Sequence, residues 1–228
     1  SLVNAYGFGP EQSLTTLTTA VRDSLLNLTG LAKVTLTEEG RVKKTNPNIY
    51  LDFNAIGKGY AVDAISSMME NQFGYSNTLV EIGGELHAKG KHILKNSQWT
   101  VAIDAPNINP DERELLRTLK LENQALATSG NYRKYRIDDA GNKVVHTINP
   151  LNGTARPSKV LSASGVAADC MTADAYATAL MSMPLSMLED QSIEGIEYML
   201  IFAGEDGAYD LRLSPKFPSL NLPFYKQE

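Results

Sequence analysis

The sequence predicts an α+β fold in which a mixed or antiparallel sheet packs with helices. Segments with strand character outnumber those with helical periodicity, and several of the strands are joined by short turns typical of hairpins. A regular alternation of strand and helix, which would indicate a parallel sheet, does not emerge from the pattern. At 228 residues the chain is predicted to form one domain over 1–228.

Helical periodicity predicts two helices in the first third of the chain. Apolar residues recur at helical spacing over 11–29, and Gly30 follows as a stop signal. A second helix is expected over 59–73, with Gly74 ending it. Short β-branched and aromatic stretches predict strands between these helices, at 33–36, 41–44 and 49–53.

Turn residues divide the remainder of the chain into short strands. Strands alternate with turns over 78–103, and a loop rich in Pro and Asn follows at 106–110. Further strands are expected at 115–121, 124–128, 132–137, 144–148, 161–167, 198–203 and 208–213. An Ala-rich helix over 170–183 and a short helix near 186–192 precede the last two strands. The tail contains three prolines and is expected to wrap the surface.

Composition excludes several classes of protein. The single cysteine rules out a disulfide framework within the chain and a Cys-rich zinc site. A formal net charge of -5 argues against a nucleic-acid binder. No apolar run approaches the ~18–20 residues of a transmembrane helix, and the N-terminus lacks the features of a signal peptide. Because the chain does not begin with Met, we expect it to be a processed or truncated piece of a longer protein.

A glycine-rich turn over 52–60 joins the end of a predicted strand to the start of a helix. Gly57 and Gly59 flank Lys58 there. Free backbone N–H groups, the positive end of the helix dipole and a cation together form an anion-binding arrangement. A lysine at this end of a helix is unfavourable unless a negative group lies nearby. The alternative is an ordinary turn with a solvated lysine, and the residues alone leave both interpretations open.

The Ala-rich helix predicted over 170–183 contains Asp174 and Thr178, which are four residues apart and therefore share one face. A carboxylate in such an apolar helix is costly unless it is paired. A carboxylate and a hydroxyl, completed by backbone carbonyls or phosphate oxygens, suit a hard cation such as Mg²⁺. Alternatively, Asp174 pairs with an Arg or Lys and Thr178 bonds to its own helix.

Histidine and cysteine side chains offer further candidates. His146 precedes a turn, where it could serve as a general base near neutral pH or simply be a hydrogen-bonded structural residue. His87 and His92 lie among lysines and are expected at the surface. Cys170 is expected to pack as a small hydrophobic residue.

Five motifs, in this order, resemble the signature blocks of the ApbE family. They are NAIGKGYAVD (54–63), LVEIGGE (79–85), ALATSGNYRKY (125–135), HTINPLNG (146–153) and DCMTADAYATALM (169–181). Members of that family are FAD:protein FMN transferases, once described as thiamine-biosynthesis lipoproteins. The segment LVNAYGFGP (2–10) is also similar to one in the family, so the resemblance extends over nearly the whole chain.

The resemblance implies a reaction and a set of ligands. FAD is expected to bind with its pyrophosphate beside Mg²⁺, and a threonine of a target flavoprotein attacks the FMN-side phosphorus while AMP leaves. By position, Asp174 and Thr178 match the family's metal-binding side chains, and Ala55 matches a residue that offers its backbone carbonyl to the metal. The resemblance thus implies an Mg²⁺ site in this chain.

The resemblance also implies roles for three other residues. Lys58 matches a contact to the flavin nucleotide, and Ile148 lies where the family touches FAD. His146 matches the histidine proposed as the base. Asn149 stands where many relatives have Asp, and the following Pro150 and turn are kept.

The family further implies partners and a location. Relatives carry a long N-terminal portion with a lipoprotein signal and part of the FAD pocket, which is not in this sequence. We therefore expect the full-length form to be a periplasmic lipoprotein anchored to the inner membrane, with membrane contact only through that lipid anchor. Acceptor flavoprotein subunits of membrane redox complexes, carrying covalent FMN on Thr, are the expected partners, and nucleic acid is not.

Two other activities remain open at the level of sequence. The first is an FAD pyrophosphatase, in which water replaces the threonine and FMN plus AMP are released. The second is a flavin-binding protein that catalyses no reaction. A hydrolase and a transferase would use the same metal clamp, so sequence alone does not separate them.

Overall fold

The computed structural model describes residues 1–11, 14, 17–107, 114–132, 135–138, 141–155, 157, 159–184, 187, 192–204 and 208–218. Within these ranges the α-helices are α1 (Leu2–Ala5), α2 (Thr19–Leu26), α3 (Gly57–Phe73) and α4 (Cys170–Ser182). The strands are β1 (Val34–Leu36), β2 (Val42–Lys44), β3 (Thr78–Ile82), β4 (Glu85–Lys89), β5 (Trp99–Asp104), β6 (Leu115–Leu121), β7 (Gln124–Gly130), β8 (Tyr135–Ile137), β9 (Lys143–Val145), β10 (Val160–Ala167), β11 (Ile196–Ala203) and β12 (Tyr209–Leu213). Every paired strand is antiparallel, and the predicted α+β class is confirmed.

The chain divides into two compact units. The first unit comprises residues 1–52 and 134–157, and the sheet unit comprises 53–133 and 158–228. The first unit holds α1, α2 and the two hairpins β1–β2 and β8–β9. The single domain predicted over 1–228 stays a prediction.

The sheet unit is built on six antiparallel strands in the order β12-β11-β10-β7-β4-β3. Helix α3 packs on β3 and β4, α4 packs on β7 and β10, and the two helices contact each other. Away from the helices, an apolar cluster joins the sheet to the hairpin β5–β6. Its buried members include Leu86, Val101, Leu119, Leu126, Met199 and Ile201.

The hairpin β3–β4 closes through the double glycine of the motif LVEIGGE (79–85). Ile82 pairs with Glu85 across it, and the two glycines between them have positive φ values, +61° at Gly83 and +104° at Gly84. Backbone with such φ values strains any residue that carries a Cβ, so glycine is required here by conformation. The turn brings Glu85 to the first position of β4, on the side of the sheet that faces α3.

Two predictions in the first unit are wrong. The helix expected over 11–29 is the shorter α2, because the Thr18 side chain caps it by accepting from the Val21 N–H. Part of the predicted range (12, 13, 15 and 16) lies outside the described residues. Residues 49–53 form no strand. Instead, the Ile49 N–H bonds back to the Asn46 carbonyl, and the Lys44 ammonium binds the Ile49 carbonyl.

The other predicted elements are present with shifted ends. Helix α3 begins at Gly57 and ends at Phe73, and Gly74 is its C-cap with φ +73°. The strand expected over 132–137 is confined to β8, and the strand expected over 144–148 ends at Val145, so His146 follows it. The short helix near 186–192 and the end of the tail lie mostly outside the described residues. Of the helices in the described ranges, none has the length and apolar character needed to cross a bilayer.

Candidate functional site

The N-terminus of α3 meets a carboxylate from α4. The residue before the helix, Ile56, offers no side-chain cap, which leaves backbone N–H groups of the first turn to find other partners. The Gly59 N–H donates to Asp174 Oδ2 over 3.0 Å in buried surroundings. Asp174 therefore caps α3 from another helix, where the helix dipole favours a negative charge.

The close approach of the two helices requires glycine at position 59. A Cβ added there would lie 2.3 Å from the Cys170 carbonyl oxygen and 2.7 Å from the Met171 Cα, both backbone atoms. Neither atom can move without displacing α4. The sequence GKG in the predicted turn thus has two functions, since Gly59 permits the contact between helices while Lys58 supplies a charge.

Helix α4 presents the predicted pair of side chains on one face. Asp169 caps the helix by accepting from the Thr172 N–H over 2.8 Å. Asp174 is only 3% exposed. One turn further along, the Thr178 hydroxyl lies 3.1 Å from the Ser129 hydroxyl of β7. Thr178 thus has a side-chain partner across the helix–sheet contact.

The partner of Lys58 is Glu85 at the start of β4. The ammonium forms a hydrogen-bonded ion pair with Glu85 Oε1. The Glu85 side chain is 2% exposed, whereas that of Lys58 is 51% exposed. Glu85 Oε2 is buried and has no hydrogen-bond partner among the described residues. Lys58 is therefore not an isolated, solvated lysine. The negative neighbour that a cation at a helix N-terminus needs is the carboxylate of Glu85.

Burial raises the pKa of both carboxyl groups at this site. For Asp174 the chief cause is desolvation, opposed by the Gly59 N–H and by the Lys58 ammonium. For Glu85 it is again desolvation, opposed by the pair with Lys58 and reinforced by the charge of Asp174. Two buried carboxyl groups thus share one ammonium, and a further cation would stabilise their ionised forms.

The donor set fits a hard divalent cation. Asp174 and Thr178 supply carboxylate and hydroxyl oxygens, which Mg²⁺ prefers, and among the described residues no partner bonds to the buried Glu85 Oε2. No three His, Cys, Asp or Glu side chains in the described ranges are placed to hold a metal by themselves. A cation here would therefore need the Thr178 hydroxyl, a backbone carbonyl or substrate oxygens as additional ligands. Ala55, the predicted carbonyl donor, lies in the turn two residues before α3.

A second polar contact between α3 and β4 was not predicted. His87, expected at the surface, is 7% exposed, and its Nδ1 lies 2.8 Å from Asp63 Oδ1. The same carboxylate accepts from the Cys170 N–H over 2.9 Å and from the Met171 N–H over 2.8 Å. The surface prediction for His87 is wrong because α3 covers this side of β4. Asp63 is the last residue of the family-like motif over 54–63. Its place in that motif was the sequence feature that could have identified it as a residue of this contact.

Cys170 is buried in a small apolar cluster. It is 0% exposed and packs with Val62 and Ala125. Burial, reinforced by nearby carboxylates, raises the pKa of its thiol to about 12. The prediction of a small hydrophobic residue is confirmed.

The first unit holds the remaining two predicted residues. His146 is half-buried and meets Phe8 edge-to-face, with ring centroids 6.2 Å apart. Ile148 lines a cavity of about 320 Å³ in the same unit. The other apolar residues around the cavity include Leu2, Leu25, Leu28, Leu31 and Ile49.

Fold and site define an α+β protein in which an oxygen-rich, charge-dense site forms where two helices meet above an antiparallel sheet. The chain belongs to the ApbE family, whose sequence profile matches residues 1–200. The resemblance drawn from the five motifs is thereby confirmed.

Similar proteins carry names that describe flavin transfer. An FAD:protein FMN transferase of Vibrio cholerae (strain O395) is 37% identical over 186 residues, which are 80% of this chain and 53% of that protein. The FAD:protein FMN transferase of Escherichia coli K12 is 31% identical over 223 residues, 96% of this chain and 62% of that protein. The solved structure of the flavin transferase ApbE from Vibrio cholerae superposes with a TM-score of 0.77 at 30% identity, covering 95% of this chain and 67% of that one. The chain thus spans little more than half the length of the curated relatives it matches.

Proposed function

We propose that the protein transfers FMN from FAD to a threonine side chain of a target flavoprotein, forming a phosphoester bond and releasing AMP. One observation carries the proposal: Asp174 accepts from the N–H of the residue that follows Lys58 and shares a face of α4 with Thr178, in a member of the ApbE family. FAD:protein FMN transferase is the name that the similar curated proteins bear.

The residues of the sheet unit would bind the pyrophosphate and a cation. Asp174 and Thr178, with the Ala55 carbonyl, are proposed to hold Mg²⁺. When bound, Mg²⁺ neutralises pyrophosphate charge and makes the phosphorus more open to attack. Lys58 is half exposed, so its ammonium can contact a phosphate oxygen while its stem stays in place.

The reaction breaks one phosphoanhydride bond and forms one phosphoester bond. The acceptor threonine oxygen bonds to the FMN-side phosphorus, and the bond from that phosphorus to the bridging oxygen breaks. AMP leaves with the bridging oxygen. The imidazole of His146 is proposed to accept the proton of the threonine hydroxyl. For Ile148 a contact to FAD is proposed, as its position in the family implies.

We also propose the setting in which this reaction occurs. The acceptors are flavoprotein subunits of membrane redox complexes, and the full-length enzyme is a periplasmic lipoprotein anchored to the inner membrane. Support comes from the family to which the chain belongs. Fractionation of cells expressing the full-length gene, followed by detection of the protein in the periplasmic membrane fraction, tests the location.

Incubation of the protein with FAD, Mg²⁺ and a flavoprotein acceptor bearing a threonine motif tests the activity. We expect the acceptor to gain the mass of FMN and an acceptor lacking that threonine to gain none. Free FMN and AMP without an adduct would indicate a pyrophosphatase. Bound and unchanged FAD would indicate a binding protein.

Asp174→Asn is expected to lower the transfer rate on the order of 10³-fold, because an amide holds a divalent cation far more weakly than a carboxylate. Asp210→Asn, which removes an exposed carboxylate from β12 in the same unit, is the matched control and should leave the rate unchanged. Normal Mg²⁺ dependence in Asp174→Asn would overturn the metal assignment.

For His146→Ala we expect transfer to fall about 10²-fold or more, as is typical for loss of a general base, with FAD binding much less affected. Rates under saturating FAD and equilibrium FAD titration separate the two quantities. Equal losses of binding and transfer would make His146 a structural residue.

A further inference from the structure

Two buried carboxyl groups, those of Glu85 and Asp174, lie near Lys58. Its ammonium pairs with Glu85, while the N–H of the next residue, Gly59, binds Asp174. The positive charge of Lys58 also acts on Asp174, where it opposes the effect of burial. Lysine has a long and flexible side chain, and of these two carboxylates the Lys58 ammonium pairs with Glu85 in the structure.

The Lys58 and Glu85 side chains both pass beside the turn between β3 and β4. A Cβ placed on Gly83 would be 3.9 Å from Lys58 Cδ and 3.9 Å from Glu85 Oε2, so the stem of Lys58 and the carboxylate of Glu85 pass beside the same glycine. Glu85 is 1% exposed and fixed in the ladder of β4. Of the two partners, Glu85 is therefore anchored and the half-exposed lysine is the mobile one.

An ammonium and a divalent cation compete for the same carboxylate oxygens, because both are attracted by the same charge at short range. If Lys58 were paired with Asp174, a metal ion would have to displace it. We propose that Glu85 is a positioning residue that holds the Lys58 ammonium away from Asp174 and so keeps that carboxylate open to a divalent cation. The inference rests on the proposed function, because it assumes the metal site at Asp174.

Shortening Glu85 separates this role from a general effect of charge. Glu85→Asp keeps the negative charge but withdraws it from Lys58 by one methylene group. We expect the Kd for a divalent cation to rise about tenfold, the lower end of what loss of an outer-shell partner costs a metal site. A purely long-range electrostatic effect predicts no change in this variant. Glu85→Gln, which keeps the size and removes the charge, should raise the Kd at least as much.

Removing the lysine should then restore metal binding. In the wild-type background Lys58→Met is expected to tighten binding about twofold, because Glu85 already restrains the ammonium. In the Glu85→Gln background the same substitution should tighten binding about tenfold. Such non-additivity marks a direct interaction, since independent sites give additive effects. Equal effects of Lys58→Met in both backgrounds would overturn the proposal.

The measurement is a titration of the 228-residue chain with Mn²⁺, in which electron paramagnetic resonance reports free Mn²⁺ and neither FAD nor acceptor is present. Glu81→Gln is the matched control. Glu81 is exposed and lies on the other face of β3, where it lines a cavity with Leu86. We expect its Kd to match that of the wild type. Circular dichroism and thermal unfolding establish that each variant is folded.

The outcomes separate this inference from the proposed function. Tight Mn²⁺ binding by the wild type, weakened in Glu85→Asp and restored by Lys58→Met, supports both. Unchanged binding in Glu85→Asp and Glu85→Gln overturns the role of Glu85 and leaves the metal site standing. Failure of the wild-type chain to bind Mn²⁺ overturns the metal site and the role of Glu85 with it.

Discussion

Two lysine–glutamate pairs join the same helix to the same strand, one at each end of the contact between α3 and β4. At one end Lys58 of α3 pairs with Glu85 of β4, and at the other Lys89 of β4 pairs with Glu70 of α3. The carboxylate is 2% exposed in the first pair and 48% exposed in the second. Both pairs join an ammonium to a carboxylate, but they differ in how far the carboxylate is exposed to solvent.

The difference in burial reverses the electrostatic outcome. The pKa of Glu70 is lowered by its hydrogen bond to Lys89, because solvent already supports the charge. The pKa of Glu85 is raised by burial in spite of its bond to Lys58. An ion pair alone therefore does not mark a site. The buried pair, in which Glu85 Oε2 has no hydrogen-bond partner among the described residues, is the one that lies next to Asp174, which accepts from the Gly59 N–H.

The largest effect on this buried end is expected from Gly59→Ala. The new Cβ would meet the Cys170 carbonyl oxygen at 2.3 Å, so α3 and α4 must separate and the bond from Gly59 to Asp174 must lengthen. We expect the free energy of unfolding to fall by about 3 kcal/mol, the upper end for overpacking. Urea unfolding monitored by circular dichroism measures it.

Gly57→Ala is the matched control for this substitution. Gly57 lies in the same turn of α3, and no atom of the described residues comes within 4 Å of a Cβ placed there, apart from its chain neighbours and the backbone of its own helix. The variant should be as stable as the wild type or more stable by up to about 1 kcal/mol. Similar losses in both variants would contradict the close approach of the two helices.

The next largest effect on the free energy of unfolding should come from replacing the lysine of each pair. Lys58→Met leaves Glu85 buried without its cation. Breaking a fully buried pair costs about 3–5 kcal/mol, and because Lys58 is half exposed we expect about 2–3 kcal/mol at pH 7. Lys89→Met should cost clearly less, since Glu70 can be solvated. Chemical unfolding of both variants compares the two ends of α3, and equal losses would show that burial of the carboxylate is unimportant.

Local chemistry accounts for the parts of this contact that the sequence predicts. The end of α3 follows from Gly74, which adopts the left-handed conformation that glycine favours. The shared face of Asp174 and Thr178 follows from their spacing on a helix. Lys58 is conspicuous because a cation at a helix N-terminus needs a negative neighbour. In each case the feature that carries the prediction, such as a helix end or a spacing of four residues, lies within a few residues along the chain.

The partners across the contact could not be predicted in the same way. Glu85 is 27 residues from Lys58, and nothing local distinguishes it from other acidic residues. His87 was misplaced for a physical reason. Polar residues alternate with apolar ones along β4, which usually marks a solvent-facing side, but here α3 covers that side and supplies complementary charges. Which face of a half-polar strand is covered depends on tertiary packing.

The smallest expected effect is the pH-dependent stabilisation of the protein by Mg²⁺, which should involve the buried end of α3 and not the exposed end. The folded-state pKa values of Asp174 and Glu85 are raised, so their contribution to stability is fully present below the unfolded pKa and is lost as pH rises through the folded pKa. Ionisation of either carboxyl group in the metal-free protein therefore costs stability, because burial penalises the charged form. Mg²⁺ should offset this cost. The stabilisation that Mg²⁺ gives should therefore grow as pH rises from the unfolded pKa to the folded pKa of these two groups.

At an Mg²⁺ concentration about ten times the Kd, the gain at neutral pH is expected to be about 1.4 kcal/mol, or about 3–6 °C in Tm for a chain of this size. Below the ordinary carboxyl range it should vanish, because the protonated groups no longer attract the cation. Thermal unfolding with Mg²⁺, across a pH series, measures the effect. Glu70→Gln should leave the increment intact, since its exposed carboxylate belongs to the other end of α3, whereas Asp174→Asn should remove it. An increment that is constant with pH, or that survives in Asp174→Asn, would place the cation elsewhere and would leave the buried pair without a role in binding it.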